Sequence, residues 1–339
     1  MSAQVLSSHK QWRNLREEEY EEREPIVTIC VAAICAKSST IIAMADRMLT
    51  GGLVQYQPAR SKIIPITNSI TAMLSGEDIA LAVELIEEVK ARVRASIDAN
   101  PNEWFSVKAT ADTWRDVYVE RLVRNAETSC LARYGLTIET FITKQSEFAP
   151  SFLAKLTDEL DSFTIPKTEV IFAGLDTVGS GAHLYIARSA DIQCQDAAGY
   201  AAIGIGAFHA RSQFISSNHL ASDPREKALY TTYVAKKRAE IAPGVGKDTD
   251  TYVIEALGGG SELKVELIEI CRSEYEKSEK HIAGHNKKTF SKVAEKFDAA
   301  LKPIATLPAT QQVAIERIEK PVATPAVLPT PLPAKDVGA

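Results

Sequence analysis

Four short β-rich runs stand between Ile26 and Leu74 with no helical pattern among them, and this order constrains the fold more than any other feature. The runs are Ile26 to Ile34, Thr40 to Ala45, Lys62 to Ile66 and Ser69 to Leu74. Lys37-Ser38-Ser39, Gly51-Gly52 and Thr67-Asn68 separate them, so the pattern predicts four consecutive antiparallel strands. After Gly76 the apolar positions become Ile79, Val83, Ile86, Val89, Val93 and Ile97, the spacing of one helix face, which predicts a helix from Asp78 to Ile97. Further helical tracts are expected over Glu103 to Arg124 and Thr137 to Asp161, punctuated by Pro101 and Gly135.

Strands then return at Glu169 to Leu175, His183 to Ala187 and Tyr200 to Ile205. Two helices follow, Phe208 to Leu220 and Pro224 to Glu240, the second with Asp223 as expected N-cap and Pro224 at the first helical position. A strand over Thr251 to Leu257 and another over Leu263 to Ile268 complete the block. Strands, helices, strands and helices without strict βαβ alternation predict an α+β protein with antiparallel sheets covered by helices. Residues 1–25 read as a charged extension, 26–270 as the folded domain, 271–301 as a charged helix, and 302–339 as a Pro/Ala-rich disordered tail.

Composition removes several function classes. Among 339 residues, 39 Lys and Arg face 44 Asp and Glu, a net charge of -5 that lacks the basic footprint of a nucleic-acid binder. The best apolar run, Ile26 to Ala36, falls well short of the about 20 residues needed to span a bilayer, so no membrane partner is expected. The acidic stretch Glu17 to Glu24 before it is unlike a signal peptide, which predicts a cytoplasmic protein. Cys30, Cys35, Cys130, Cys194 and Cys271 form no CxxC pair, and His183, His209 and His219 lack ligand spacing. Buried thiols are therefore expected, with no metal and no cofactor. Gly246-Lys247 imitates the end of a phosphate loop, but Ile241 and Asp248 stand where that loop needs Gly and Ser or Thr.

Chemistry is expected where charged groups end apolar strands. Asp46 closes IIAMAD and Lys62 opens KIIPI, so the pair can face one another as a buried ion pair or as partners of a nucleophile. Thr28 and Cys30 lie two apart on the first strand and share a face, and either can be a nucleophile. If that residue becomes the N-terminus of a processed chain, its own amine can serve as the base.

The stretches TICVAAICAKSSTIIAMADRMLTGG, SKIIPI and TAMLSGEDIALAVELIEE resemble the opening of a proteasome β-type subunit, a member of the N-terminal-nucleophile hydrolase superfamily. FAGLDTVGSGAHLYI and GYAAIGIGAFHA resemble that family's later hairpin and its glycine-rich turn into a helix. The similarity runs from Ile26 to Leu257 and is nearest to the proteasome-like proteins of bacteria. It implies a four-layer αββα sandwich, two antiparallel sheets flanked by helices. It also implies Asp46 and Lys62 as acid and lysine partners of the nucleophile, Gly76 as oxyanion-hole amide, and Thr50 as a backbone partner of an extended peptide substrate. Equal spacing from Cys30 to Asp46 and from Asp46 to Lys62 favours Cys30 as nucleophile, whereas a first hairpin longer by two residues favours Thr28.

Three positions depart from the family pattern. Ile205 replaces a serine in the glycine-rich turn. Glu240, followed by Pro243 and Gly244, stands where an Asp and a Ser hold the terminal amine. Val27 precedes Thr28 where self-processing members carry Gly. The resemblance thus implies a threonine-type peptidase or other amide hydrolase, active once Thr28 is exposed and assembled as a homo-oligomer. The alternative is a non-catalytic scaffold subunit of the same kind.

Overall fold

The computed structural model describes residues 28–51, 54–56, 61–101, 105–176, 181–255, 259–262 and 265–301. The expected N-terminal extension and Pro/Ala-rich tail lie outside the described residues. The first strands, β1 (Cys30–Cys35) and β2 (Thr40–Asp46), are buried along their whole length and pair antiparallel, with Cys30 opposite Ala45 and Cys35 opposite Thr40. Runs of small and β-branched residues without polar alternation suit strands covered on both faces.

The chain then leaves this sheet. A separate hairpin, β3 (Leu49–Gly51) with β4 (Val54–Tyr56), follows, and β5 (Ile63–Pro65) and β6 (Ile70–Gly76) pair in a second sheet. The four runs are thus not one consecutive set, because the connection after Asp46 carries the chain across to the other sheet. The remaining strands are β7 (Thr168–Leu175), β8 (Ala182–Arg188), β9 (Asp191–Cys194), β10 (Tyr200–Ile203), β11 (Thr249–Glu255) and β12 (Gly259–Glu262). They complete two five-stranded antiparallel sheets, ordered β10-β1-β2-β11-β12 and β5-β6-β7-β8-β9.

The helices are α1 (Ile79–Ala99), α2 (Val107–Ala126), α3 (Ile138–Thr143), α4 (Pro150–Ser162), α5 (Ala207–Ser216), α6 (Arg225–Ala239) and α7 (Val265–Leu301). Asp78 and Ser106 cap α1 and α2 by accepting the amides of Leu81 and Ala109. The tract expected from Thr137 to Asp161 is broken. A capping box of Thr137 and Thr140 opens α3, a short 3-10 turn follows, and Pro150 begins α4, as a residue without an N–H can do only in a first turn. On α6 the N-cap position belongs to Pro224, which offers no side-chain cap, while Asp223 accepts from the Leu220 amide and from Lys227. The strand expected over Leu263 to Ile268 is replaced by β12 and the start of α7.

Alternation along the strands divides the core. One face of the first sheet (Ala32, Ile34, Ile41, Ala43) packs with Met73, Ile171 and Leu184 of the second. The opposite face (Val31, Ala33, Met44) meets Phe214 of α5, Tyr233 of α6 and Ile268 of α7. Beyond the second sheet, Ala72, Val170 and Phe172 lie against Leu85 and Val89 of α1 and Trp114 of α2. The fold is therefore α+β, with two antiparallel sheets in contact and helices on their outer faces. The compact unit holding both sheets ends at Tyr275, inside α7, and the second unit starts at Glu276.

Candidate active site

Three polar side chains meet where β1 begins, β2 ends and β5 begins. Thr28, Asp46 and Lys62 are buried, with side-chain exposures of 3% for Lys62 and 0% for Asp46. The Thr28 hydroxyl donates to Asp46 Oδ1 at 2.6 Å and accepts from Lys62 Nζ. Lys62 Nζ also donates to Asp46 Oδ1 at 2.7 Å and to the Met48 carbonyl, so its three N–H groups each have an acceptor. Asp46 is held by the backbone as well: the Ile29 amide reaches Oδ1 at 3.1 Å and the Gly246 amide reaches Oδ2 at 2.8 Å. A buried ion pair persists when hydrogen bonds satisfy its remaining lone pairs and protons, and here they do.

Cys30 stands apart from this cluster. Its thiol donates to the Leu74 carbonyl at 3.4 Å and sits in the core between the sheets. Burial pushes it well above the ordinary thiol range, against the opposing pull of Lys62, so it stays protonated. Cys35, Cys130 and Cys271 are buried free thiols and Cys194 is exposed.

Gly76 closes β6 opposite Thr168, two residues beyond Leu74, whose amide donates to the Lys62 carbonyl at 3.1 Å. Its lack of a side chain has a packing cause, since a Cβ would meet the Lys167 carbonyl oxygen at 2.8 Å. Thr50 pairs with Gln55 in the β3–β4 hairpin, and its side chain lies outside the described residues.

The glycine-rich turn after β10 closes on Thr28 from the other side. Gly204 has φ +90, and a Cβ there would run into the Thr28 carbonyl oxygen. Its amide donates to Glu169 Oε2 at 2.9 Å, and Glu169 is paired in turn with Arg188 at 2.8 Å. Ile205, between the two glycines, is exposed. Glu240 is engaged by two lysines: Lys236 and Lys237 bind its two oxygens at 2.7 and 2.5 Å.

Two participants escaped the sequence reading. Gly246 belonged to a rejected phosphate-loop pattern, yet its amide is a partner of Asp46. Lys236, in the charged run Lys236-Lys237-Arg238, is fully buried and donates to the Gly246 carbonyl at 2.8 Å. Its one sequence signal is the i, i+4 spacing to Glu240. A cavity lined by Arg47, Ser61, Asp250, Tyr252, Glu262 and Arg272, among others, takes in chain neighbours of Asp46 and Lys62 and runs along β11 to α7, but Thr28, Asp46 and Lys62 do not line it. Among the described residues no group of His, Cys, Asp and Glu could hold a metal ion, and no helix is long and apolar enough to cross a membrane. No protein-family model matches the chain, and no curated protein matches it.

Proposed function

We propose that this chain is a proteasome-like N-terminal-nucleophile amide hydrolase, a threonine-type peptidase whose nucleophile is the Thr28 hydroxyl once the Thr28 amine is free. The observation that carries the reading is the single hydroxyl shared by a buried carboxylate and a buried ammonium. In this reading the free amine of Thr28 takes the hydroxyl proton as Oγ1 attacks a substrate carbonyl. Lys62, already donating to Oγ1, stabilises the charge that develops there, and Asp46 holds Lys62 in place through its bond to Nζ. The departing amine receives the proton from the Thr28 ammonium, and water then cleaves the ester to regenerate the hydroxyl.

Gly76 as oxyanion donor and Thr50 as backbone partner of a peptide enter through the resemblance alone, as do the four-layer N-terminal-nucleophile fold and assembly of several copies, while the cytoplasmic location rests on the acidic stretch Glu17 to Glu24. The substrate class is a peptide or another amide, and the mechanism calls on no cofactor. A second reading, a non-catalytic scaffold of the same kind, is favoured by one arrangement: both oxygens of Glu240, the acid at the position where the resemblance expects the terminal amine to be held, are engaged by Lys236 and Lys237.

N-terminal sequencing and intact mass of protein expressed from Met1, before and after treatment with a β-lactone, separate the two. Ring opening by Oγ1 adds the whole probe mass, as the lactone C–O bond breaks and the released alkoxide takes a proton. A chain beginning at Thr28 that gains this mass, and a Thr28→Ala chain that does not, are the expected results. An uncut chain that never takes up the lactone would overturn the hydrolase reading in favour of the scaffold.

A further inference from the structure

The loop between α6 and β11 is held from two sides. Gly246 leans against the end of β2 so closely that a Cβ would meet the Met48 Cβ at 2.9 Å and Asp46 Oδ2 at 3.2 Å. Its amide donates to Asp46 Oδ2, while its carbonyl and that of Lys247 accept from Lys236 Nζ at 2.8 and 2.9 Å. The third Lys236 N–H goes to Glu240 Oε1 at 2.7 Å. Lys236 has no exposed side-chain surface, and burial pulls its ammonium below the ordinary lysine range while Glu240 pulls it back. An apolar residue of equal length would fill the same space without that desolvation penalty, and two loop carbonyls would then lose their donor.

Asp46 divides its oxygens by task. Oδ1 faces Thr28, Lys62 and the Ile29 amide, and Oδ2 is engaged by Gly246. We propose that Lys236 is a positioning residue for this site: by pinning the carbonyls of Gly246 and Lys247 it keeps the Gly246 amide on Oδ2, which fixes the carboxylate rotamer that presents Oδ1 to Thr28 and Lys62. The catalytic consequence rests on the hydrolase reading above; the mechanical link does not. Lys236 reaches the nucleophile through a backbone amide and touches no substrate.

Hydrogen exchange and β-lactone labelling of the full chain test the two parts separately. In Lys236→Met, exchange across residues 244–248 is expected to accelerate by about tenfold or more while the β1 and β2 amides keep parental protection. The limiting rate of Thr28 acylation should fall by about tenfold at an unchanged half-saturating lactone concentration, a split that loss of binding would not produce. Lys237→Met removes a neighbouring lysine that shares Glu240 but does not touch the loop carbonyls, and it should behave as the parent. Lys236→Gln, which keeps an amide donor, should recover part of both effects, and it is read against Lys237→Met if Lys236→Met does not fold. Parental exchange over the loop in Lys236→Met, or in Lys236→Gln where Met is not tolerated, overturns the inference. A parent that takes no lactone overturns the hydrolase reading, and the loop exchange still decides whether Lys236 holds Gly246.

Discussion

The Thr28 hydroxyl accepts from Lys62 and donates to Asp46, whereas the Cys30 thiol meets the Leu74 carbonyl in an apolar core. Replacing each residue should therefore fail in a different way. Thr28→Val keeps the shape but strands one Lys62 N–H and leaves Asp46 Oδ1 with one donor fewer, so it should lower unfolding stability by about 1–3 kcal/mol and abolish lactone uptake. Cys30→Ala removes a small buried group and should lower stability by about 1 kcal/mol, with acylation retained. Chemical denaturation with intact-mass analysis distinguishes the two; acylation lost in Cys30→Ala and kept in Thr28→Val would transfer the nucleophile to Cys30. The identities of Asp46 and Lys62 were legible because charges at the ends of apolar strands are conspicuous. The choice between Thr28 and Cys30 was not, since two residues on one face of a strand are told apart only by what the second sheet brings against them. Lys236 was hidden for the opposite reason: among Lys237, Arg238 and Glu240 nothing marks which charge turns inward.

At the scale of elements, the turn from β10 into α5 fixes the carbonyl side of Thr28. Gly204 needs its φ of +90, and any Cβ there collides with the Thr28 carbonyl, whereas Gly199, at φ +73, would place a Cβ 3.4 Å from the Ala221 amide. Gly199→Ala should lose only the cost of the left-handed backbone, about 1 kcal/mol. Gly204→Ala should lose at least about twice that, because strain and displacement of Thr28 add, and acylation should fall with it. Thermal unfolding of the two variants side by side is the check, and equal losses would mean the turn does not support the site. Short β-rich runs bounded by turn residues made β1, β2, β6 and β7 legible to within a few residues, and three-to-four spacing did the same for the helix α1. They failed where period is ambiguous: Val265, Ile268, Cys271 and Tyr275 follow helix spacing, yet the apolar string from Leu263 to Ile268 reads equally as a strand. They also failed at β9, whose largely exposed polar residues carry no core signal.

Across the whole molecule the site is made by chain closure. Asp46 receives Gly246 from 200 residues away and Thr28 from 18, so no local window contains it. The two sheets can bring these ends together because their shared core is continuous from Cys30 and Ile34 to Ile171 and Ile186. The same closure leaves apolar surface uncovered. On α5, Ala210 and Phe214 face the core, while Phe208 and Ile215, two turns apart on the opposite face, are 78% and 69% exposed. Ile241, just past α6, adds another exposed apolar side chain. Exposed apolar surface of this kind is what association between copies would remove from water, as the proposed assembly requires. Light scattering on the full chain should then give a mass above the 37.0 kDa monomer. A Phe208→Asp, Ile215→Asp double variant should shift the mass toward the monomer with the melting transition of the folded unit retained, since neither side chain supports the core. A monomeric parent would remove assembly from the proposed function, and a variant of parental mass would place the contact on another face.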